Sequence, residues 1–214
     1  MAQLRVTEIF RSLQGEGLAA GLPTVFVRLT GCPLRCRYCD TAYAFSGGET
    51  MSVAAVVEAV RALPPAPAAC VTGGEPLAQA GCRELLSRLC DAGYAVSLET
   101  SGALDIGGID PRVTVVMDLK TPGSGESGRN RWANLGRLRP QDQVKLVLTD
   151  RADYEWAREV VVRHRLDARC TVLLAPAWGE LEAATLAEWI LADALPVRLQ
   201  LQLHKLLWGE VRGR

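Results

Sequence analysis

Three closely spaced cysteines are the residues of this chain best suited to chemistry. Cys32, Cys36 and Cys39 follow the pattern C-x3-C-x2-C in a loop that begins at Gly31. On a short loop, three thiolates at this spacing can ligate one face of a four-iron four-sulfur cluster and leave the fourth iron without a protein ligand. An iron with an open position can bind a substrate, so the spacing predicts a catalytic cluster.

A zinc site is the alternative for the same cysteines. Cys-x2-Cys is half of many zinc sites, and a zinc-stabilised binding module would need a fourth, remote ligand to complete a tetrahedral site. His204 is the obvious candidate besides the isolated cysteines. The sequence contains no second closely spaced Cys or His pair, and the iron–sulfur cluster is therefore the favoured interpretation.

The other four cysteines need a different interpretation. The chain has seven in all, and an odd number with a single cluster argues against a secreted disulfide framework. Cys70, Cys82, Cys90 and Cys170 lie in apolar or helical stretches. Because free cysteine usually behaves as a small buried hydrophobe, we expect that role for all four.

Short apolar strands alternate with amphipathic helices, which predicts a single α/β domain over residues 1–214. The predicted strands span residues 24–30, 69–72, 94–99, 113–118, 144–148, 171–174 and 198–203. The predicted helices span residues 53–63, 77–92, 151–165 and 181–194. This alternation requires right-handed crossovers and a mainly parallel sheet, with ligands at the carboxyl ends of the strands. About six such strands would form an open, partial TIM-type barrel.

Polar residues follow several predicted strands at the end where a barrel enzyme has its active site. In Gly73-Gly74-Glu75, the glycines allow the backbone to approach a ligand and the carboxylate could accept an ammonium group. Further polar groups follow the third and fourth strands, at residues 99–102 and 118–122. Residues 121–136 form a long glycine-rich segment, for which a mobile lid and a plain surface loop are equally compatible with the sequence.

The cysteine loop resembles the signature of the radical S-adenosylmethionine superfamily, including the aromatic Tyr38 just before the last cysteine. In that superfamily the open iron chelates S-adenosylmethionine, whose cleavage gives a 5'-deoxyadenosyl radical, and a Gly-Gly-Glu element holds the amino group. The resemblance implies an abbreviated barrel with fewer helices than the full superfamily core. It implies S-adenosylmethionine contacts from Tyr38, Gly73, Gly74, Glu75, Ser101, Asp118, Lys120, Ala175, Pro176, Ala177 and Trp178. For Trp178, core packing is the alternative.

Motifs outside the cysteine loop resemble the 7-carboxy-7-deazaguanine synthase family. Leu13-Gln14-Gly15-Glu16, Arg28, Cys39-Asp40-Thr41 and His204 extend this resemblance over nearly the whole chain. It implies a lyase of queuosine precursor synthesis that converts 6-carboxy-5,6,7,8-tetrahydropterin to 7-carboxy-7-deazaguanine with loss of ammonia.

The same resemblance implies the ligands of the site. Thr41 would bind Mg²⁺, and the substrate contacts would come from Leu13, Gln14, Gly15, Glu16, Arg28, Thr72 and His204. These residue types suit a pterin, whose amino-pyrimidinone edge presents N–H donors and a carbonyl. An arginine such as Arg28 pairs naturally with the substrate carboxylate. Glu16 and His204 are the candidates for a catalytic base, with no assignment between them.

Charge and hydropathy limit the partners. The 24 Lys and Arg residues balance the 24 Asp and Glu residues, so no overall positive field favours nucleic acid. No apolar run is long enough to span a membrane, and the first residues lack the layout of a signal peptide. We therefore expect a cytoplasmic protein without a membrane or nucleic-acid partner.

The family resemblance also implies a homodimer and an electron donor such as flavodoxin or ferredoxin. A glycyl-radical enzyme activase is the rival enzyme, because it shares the C-x3-C-x2-C spacing and a compact size. That family acts on a protein and lacks the Leu-Gln-Gly-Glu-Gly start and the His-Lys end of this chain.

Overall fold

Seven parallel strands form the centre of the computed structural model, which describes residues 2–213. They are β2 (Pro23–Leu29), β4 (Ala68–Gly73), β5 (Ala95–Thr100), β6 (Thr114–Asp118), β7 (Gln143–Leu148), β8 (Thr171–Pro176) and β9 (Arg198–Leu199). The longer ones are rich in Val and Leu and largely buried, as expected for a parallel sheet covered on both faces. The predicted α/β class with a mainly parallel sheet is confirmed.

Two further strands extend the sheet in the antiparallel direction. β1 (Gln3–Leu13) pairs with β2 and with β3 (Glu49–Ser52), which gives the strand order β3-β1-β2-β4-β5-β6-β7-β8-β9. The sequence prediction omitted both, although Leu4 and Val6 alternate with polar neighbours and are buried. The order is linear, with β3 and β9 at its two edges, so the predicted open barrel is confirmed.

Five α-helices lie within residues 2–213. They are α1 (Val53–Arg61), α2 (Cys82–Asp91), α3 (Arg151–His164), α4 (Ala183–Ala192) and α5 (Leu203–Trp208). Side chains cap two of them, because Ser52 accepts a hydrogen bond from the Ala55 N–H and Asp150 accepts one from the Asp153 N–H. α2 begins later than predicted, because Pro76–Ala78 forms a separate 3-10 turn.

The carboxyl-terminal prediction was wrong in one respect. The strand predicted for residues 198–203 ends after two residues, and the chain then enters α5. His204 therefore belongs to a helix and not to the end of a strand. The misinterpretation arose because a short leucine-rich run has no clear period.

The isolated cysteines behave largely as predicted. Cys70, Cys82 and Cys170 are buried, and Cys90 is partly buried against the core. Burial raises the pKa of each of these thiols, so they remain neutral and unreactive at physiological pH.

The glycine-rich segment at residues 121–136 folds into three 3-10 turns. Asn130 exchanges hydrogen bonds with the backbone of Lys120 at 2.9 and 2.8 Å. Asn134 is fully buried and donates to the carbonyl oxygens of Gly102 and Leu104. The segment is therefore tied to the end of the sheet by buried side chains. None of the helices within residues 2–213 is long and apolar enough to cross a membrane.

Candidate active site

A cavity of about 670 Å³ lies at the carboxyl ends of the parallel strands. This volume is within the range of small-molecule sites. All but three of the residues predicted for ligand binding line it. They are Leu13, Gln14, Gly15, Glu16, Arg28, Cys32, Cys36, Tyr38, Cys39, Thr41, Thr72, Gly73, Gly74, Ser101, Asp118, Lys120, Ala177, Trp178 and His204. The fold thus brings residues from across the whole sequence into one site.

The three clustered cysteines share the wall of this cavity and are each half-buried. Burial raises the pKa of Cys32 and Cys36, and the ammonium group of Lys120 acts on both in the opposite direction. Within residues 2–213, no three His, Cys, Asp or Glu side chains converge on a point that could hold one metal ion. Three thiolates on one short loop are the ligand set that a four-iron four-sulfur cluster with one open iron takes from a protein. The donor set fits a four-iron four-sulfur cluster.

The Gly-Gly-Glu turn supports the cysteine loop through backbone contacts. The Gly74 N–H donates to the Leu29 carbonyl at 3.0 Å, and the Glu75 N–H donates to the Gly31 carbonyl at 2.7 Å. A Cβ atom on Gly74 would lie 2.2 Å from the Gly31 carbonyl oxygen. A side chain at position 74 is therefore excluded by close approach of the two loops, which explains the glycine there.

Glu75 is held by hydrogen bonds within the protein. Its side chain is fully buried and does not line the cavity. The carboxylate accepts hydrogen bonds from the Leu77 N–H, the Ser101 N–H and the hydroxyls of Thr100 and Ser101. Because these donors come from the turn after β4 and from the end of β5, Glu75 is suited to holding the ends of the two strands together.

Replacement of Glu75 by alanine should reduce stability. The change leaves four donors buried without their acceptor, and we expect the free energy of unfolding to fall by about 3 kcal/mol. Urea denaturation of the apoprotein would measure the change. Glu58→Ala is the matched control, because Glu58 is 71% exposed on α1 and its loss should have little effect. Equal stability of the two variants would contradict the positioning role of Glu75.

Asp118 and Lys120 form an ion pair at the end of β6. The Lys120 Nζ lies 2.5 Å from the Asp118 Oδ2, and both side chains line the cavity. Burial tends to raise the pKa of Asp118, but Lys120 and Lys145 outweigh it and the net shift is downward. Burial also raises the pKa of Tyr38 to about 12, so its phenol is neutral. The cysteine side of the cavity thus presents one ion pair and a neutral aromatic ring.

The residues after the sixth predicted strand divide into two pairs. Ala177 and Trp178 line the cavity, and Trp178 is 46% exposed, which excludes the core-packing alternative for it. Ala175 and Pro176 belong to β8 and do not line the cavity. The predicted contacts from Ala175 and Pro176 are therefore not supported, because the strand continues farther than the sequence suggested.

The loop after β1 crosses the open barrel and carries Gln14 and Glu16 into the cavity. The far end of the loop is held by residues of β7 and of the segment after β9. The Gly17 N–H donates to the Gln200 Oε1 at 2.6 Å, and the Leu18 N–H donates to the Gln143 Oε1 at 2.9 Å. The side chain of Gln14 donates to Glu99 at 3.2 Å. These contacts give a loop without regular structure a fixed position.

Glu16 lies in a network of charged and polar groups. Its Oε2 is 2.5 Å from the Lys145 Nζ, and its Oε1 accepts a hydrogen bond from Gln202 at 2.8 Å. Lys145 also lies 3.3 Å from the Asp118 Oδ1. Glu16 is therefore fixed by its partners in the cavity and is not a solvated loop charge.

Arg28 is positioned by its neighbours in β1 and in the segment after the cysteines. Its Nε donates to Glu8 at 2.7 Å, and the Tyr43 hydroxyl donates to the same carboxylate at 2.8 Å. The guanidinium carbon lies 5.8 Å from the centre of the Tyr43 ring. With 15% of its side chain exposed, Arg28 is a cavity residue and not an edge residue of the sheet.

His204 packs directly on Gly15. A Cβ atom at position 15 would lie 2.0 Å from the His204 Nδ1, and the Leu203 N–H donates to the Gly15 carbonyl at 2.9 Å. Burial lowers the pKa of His204, so the imidazole is neutral at physiological pH. The start of α5 and the loop after β1 thus form one wall of the cavity.

An ion pair joins the cysteine segment to α5. The Lys205 Nζ lies 3.1 Å from the Asp40 Oδ2, and the Thr41 hydroxyl donates to the other oxygen of Asp40 at 3.1 Å. Burial tends to raise the pKa of Asp40, but Lys205 dominates and the pKa falls to about 2.

The Asp40–Lys205 pair should make stability depend on pH in the acid range. A carboxyl group with a lowered folded-state pKa stabilises the protein above its ordinary value of 3.8, and the contribution is lost as pH falls toward about 2. We expect Lys205→Met to remove this contribution, so its stability deficit should shrink between these two pH values. Urea denaturation as a function of pH would measure it. Arg61→Met, which breaks an exposed pair on α1, is the control and should show little deficit at any pH.

Several cavity residues were missed by the sequence analysis. Lys145 and Gln202 line the cavity and bond to Glu16, and Tyr43 lines it with its ring centre 5.8 Å from the Arg28 guanidinium carbon. Glu99, which lies in the polar stretch at residues 99–102 but had no assigned role, accepts a hydrogen bond from Gln14. A lysine inside an otherwise apolar predicted strand was an available signal for Lys145, because an isolated charge is rarely buried without a partner. The residues just before Arg214 also border the cavity, and the Arg212 guanidinium lies 4.0 Å from the centre of the Tyr43 ring.

The cysteine loop at the end of a parallel strand, in an open barrel, defines a class of protein. A sequence model of the radical S-adenosylmethionine superfamily matches residues 26–114, which include that loop and the Gly-Gly-Glu turn. The fold agrees, since the Streptococcus suis SuiB structure with bound S-adenosylmethionine superposes with a TM-score of 0.54 at 13% identity, over 80% of this chain and 48% of that one.

Closer relatives narrow the class. A 7-carboxy-7-deazaguanine synthase of Chlorobaculum tepidum is 46% identical over 99% of this chain and 98% of its own. One of Koribacter versatilis is 42% identical over 98% of this chain and 100% of its own. The crystal structure of QueE from Escherichia coli superposes with a TM-score of 0.77 at 25% identity, over 94% of this chain and 95% of that chain. The chain belongs to the 7-carboxy-7-deazaguanine synthase family.

Proposed function

We propose that this protein is a radical S-adenosylmethionine lyase that converts 6-carboxy-5,6,7,8-tetrahydropterin to 7-carboxy-7-deazaguanine with loss of ammonia. The observation that carries the proposal is the meeting of two sets of residues in one cavity. The cysteine loop lines the cavity together with Glu16, Arg28 and His204. Family membership over nearly the full length supports the same reaction.

Cys32, Cys36 and Cys39 would hold the four-iron four-sulfur cluster. Bound cluster and S-adenosylmethionine together would supply a 5'-deoxyadenosyl radical that takes hydrogen from carbon 6 of the pterin. Polar side chains that line the cavity, and the backbone of Gly73 and Gly74, are available to bind S-adenosylmethionine. The remaining proposed contacts are Tyr38, Gly73, Gly74, Ser101, Asp118, Lys120, Ala177 and Trp178.

Four charged or polar groups suit the pterin. The Glu16 carboxylate can accept N–H donors from the amino-pyrimidinone edge, and Gln14 lies next to it on the same loop. The Arg28 guanidinium can pair with the substrate carboxylate, since Glu8 occupies only its Nε. Neutral His204 can accept or donate a single hydrogen bond. These groups bind and orient the substrate, and the buried cavity limits its contact with water.

Thr41 is the proposed protein ligand of Mg²⁺. It lines the cavity, and its hydroxyl oxygen retains lone pairs although its proton is donated to Asp40. Mg²⁺ keeps several waters and binds through few protein oxygens, with substrate oxygens completing the shell. A single hydroxyl beside a carboxylate is compatible with that mode of binding.

Product formation tests the function directly. The protein would be purified without oxygen, reconstituted with iron and sulfide, and supplied with S-adenosylmethionine, Mg²⁺, reductant and the pterin. We expect 7-carboxy-7-deazaguanine by mass spectrometry, and none when S-adenosylmethionine is omitted. Cleavage of S-adenosylmethionine with the pterin left unchanged would refute the substrate assignment and leave the superfamily assignment intact.

We further propose that the protein is a homodimer in the cytoplasm. It would receive single electrons from an external donor such as flavodoxin or ferredoxin. Exposed apolar side chains are concentrated near the carboxyl terminus, at Leu199, Leu201, Leu206, Leu207 and Val211. Such a patch favours association, here with a second copy of the chain. Light scattering should give the mass of a dimer, and Leu206→Lys should shift it toward the monomer. A monomeric wild-type protein would contradict this part of the proposal.

A further inference from the structure

Lys145 lies between the two halves of the cavity. It is on β7, and its ammonium group contacts Glu16 at 2.5 Å and Asp118 at 3.3 Å. Glu16 comes from the loop proposed to bind the pterin, whereas Asp118 belongs to the wall proposed to bind S-adenosylmethionine. With 12% of its side chain exposed, Lys145 is shielded from bulk water.

The charges around Lys145 alternate in sign. On one side Asp118 is paired with Lys120 at 2.5 Å, and on the other Glu16 is bound by Gln202 at 2.8 Å. Each carboxylate therefore uses one oxygen for Lys145 and the other for a partner belonging to its own half of the cavity. Two carboxylates with one shared cation are held in a fixed relation, because moving either would break its charged contact with the shielded Lys145 ammonium group.

Glu99 is a third carboxylate that acts on Lys145. It lines the same cavity and contributes, after Asp118 and Glu16, to raising the pKa of Lys145 well above its usual value. Lys145 is therefore a permanent cation at physiological pH. No other lysine or arginine within residues 2–213 forms an ion pair with Glu16.

We infer that Lys145 is a positioning residue that sets the orientation of Glu16 and Asp118 together, so that its loss weakens the binding of both the pterin and S-adenosylmethionine. This inference rests on the proposed function, which supplies the two ligands. Lys145 does not need to touch either of them. Lys120 and Gln202, in contrast, each contact one of the two carboxylates, and each should influence one ligand.

Equilibrium binding separates these roles without turnover. Dissociation constants for S-adenosylmethionine and for the pterin would be measured by dialysis with reconstituted enzyme, free of oxygen and reductant. We expect Lys145→Met to weaken both by about ten- to a hundredfold, the scale of a lost charged hydrogen bond. Lys120→Met should weaken S-adenosylmethionine alone, and Gln202→Ala the pterin alone. Lys145→Arg should recover most of both affinities, because it keeps the charge.

Two controls make the outcome decisive. Thermal denaturation must show a cooperative transition for each variant. If Lys145→Met does not fold, Lys145→Gln carries the test, because it removes the charge but keeps a polar side chain. In that case weakening of both ligands by about tenfold supports the inference, and unchanged affinities overturn it. If Lys145→Met folds and weakens one ligand or neither, the inference is overturned. If the wild-type protein binds S-adenosylmethionine but no pterin, the proposed function fails, and the inference fails with it for a distinguishable reason.

Discussion

Replacing Cys36 with alanine is expected to abolish both the visible colour of the reconstituted protein and its activity. The loop supplies three thiolates, and a cluster already without a protein ligand at one iron would keep only two. Iron and sulfide content, visible absorption and product formation would be measured on protein prepared without oxygen. We expect all three to fall to background, while the fold remains, because Cys36 is half-buried on the cavity wall and outside the core cluster.

Cys90→Ala is the matched control for this variant. Cys90 is also half-buried, but it lies on α2 away from the cavity. The control should bind iron and turn over substrate like the wild-type protein. A Cys36→Ala protein that retained a full complement of iron would contradict the assignment of the three cysteines as the cluster ligands.

Gly15→Ala is expected to have the second largest effect. The added methyl group would lie 2.0 Å from the His204 Nδ1, so the histidine or the loop must move. Because a displacement of about 1 Å in a substrate-positioning group can cost a hundredfold in rate, we expect kcat/KM for the pterin to fall by about that factor. Affinity for S-adenosylmethionine should remain near that of the wild-type protein, because Gly15 and His204 are proposed contacts of the pterin and not of S-adenosylmethionine.

Gly136→Ala provides the control, since a methyl group there meets no atom within 4 Å. It should leave kcat/KM unchanged. Steady-state kinetics at varied pterin concentration would compare the two variants. A Gly15→Ala enzyme with unchanged kinetics would show that the contact between the loop and α5 has no role in substrate positioning.

The sequence was most informative where chemistry fixes the spacing of residues. Cys32, Cys36 and Cys39 were identifiable because a cluster needs three thiolates on a short loop, and the Gly-Gly-Glu turn was identifiable from its position after the next strand. The parallel strands were predictable because they are buried on both faces and rich in Val and Leu. In these cases the physical reason for the structure lies in neighbouring residues, so a local sequence pattern is enough to predict it.

Residues whose role depends on distant partners were harder to predict. Nothing near Glu75 in the sequence indicates that Thr100 and Ser101 occupy its carboxylate. Likewise, the neutral state of His204 depends on its burial, which the sequence does not specify. Lys145 carried a signal as a charge inside an apolar strand, but its two partners come from elements far away in the chain.

The carboxyl-terminal region shows a different limit. The leucine-rich run around His204 is compatible with either a strand or a helix, and a six-residue element is too short for its length to indicate a helix. A tertiary contact that the sequence does not show fixes the start of the helix, because the Leu203 N–H donates to the Gly15 carbonyl where α5 begins. His204 therefore lines the cavity, as expected, although it lies in a helix and not at the end of a strand.

The proposed function requires that the 5'-deoxyadenosyl radical takes hydrogen from carbon 6 of the pterin, and deuterium transfer measures this step. The reconstituted enzyme would be given S-adenosylmethionine, reductant, Mg²⁺ and 6-carboxytetrahydropterin deuterated at carbon 6, and 5'-deoxyadenosine would be analysed by mass spectrometry. We expect deuterium in the 5'-deoxyadenosine, formed together with 7-carboxy-7-deazaguanine. Unlabelled 5'-deoxyadenosine, produced at the same rate with and without the pterin, would contradict it.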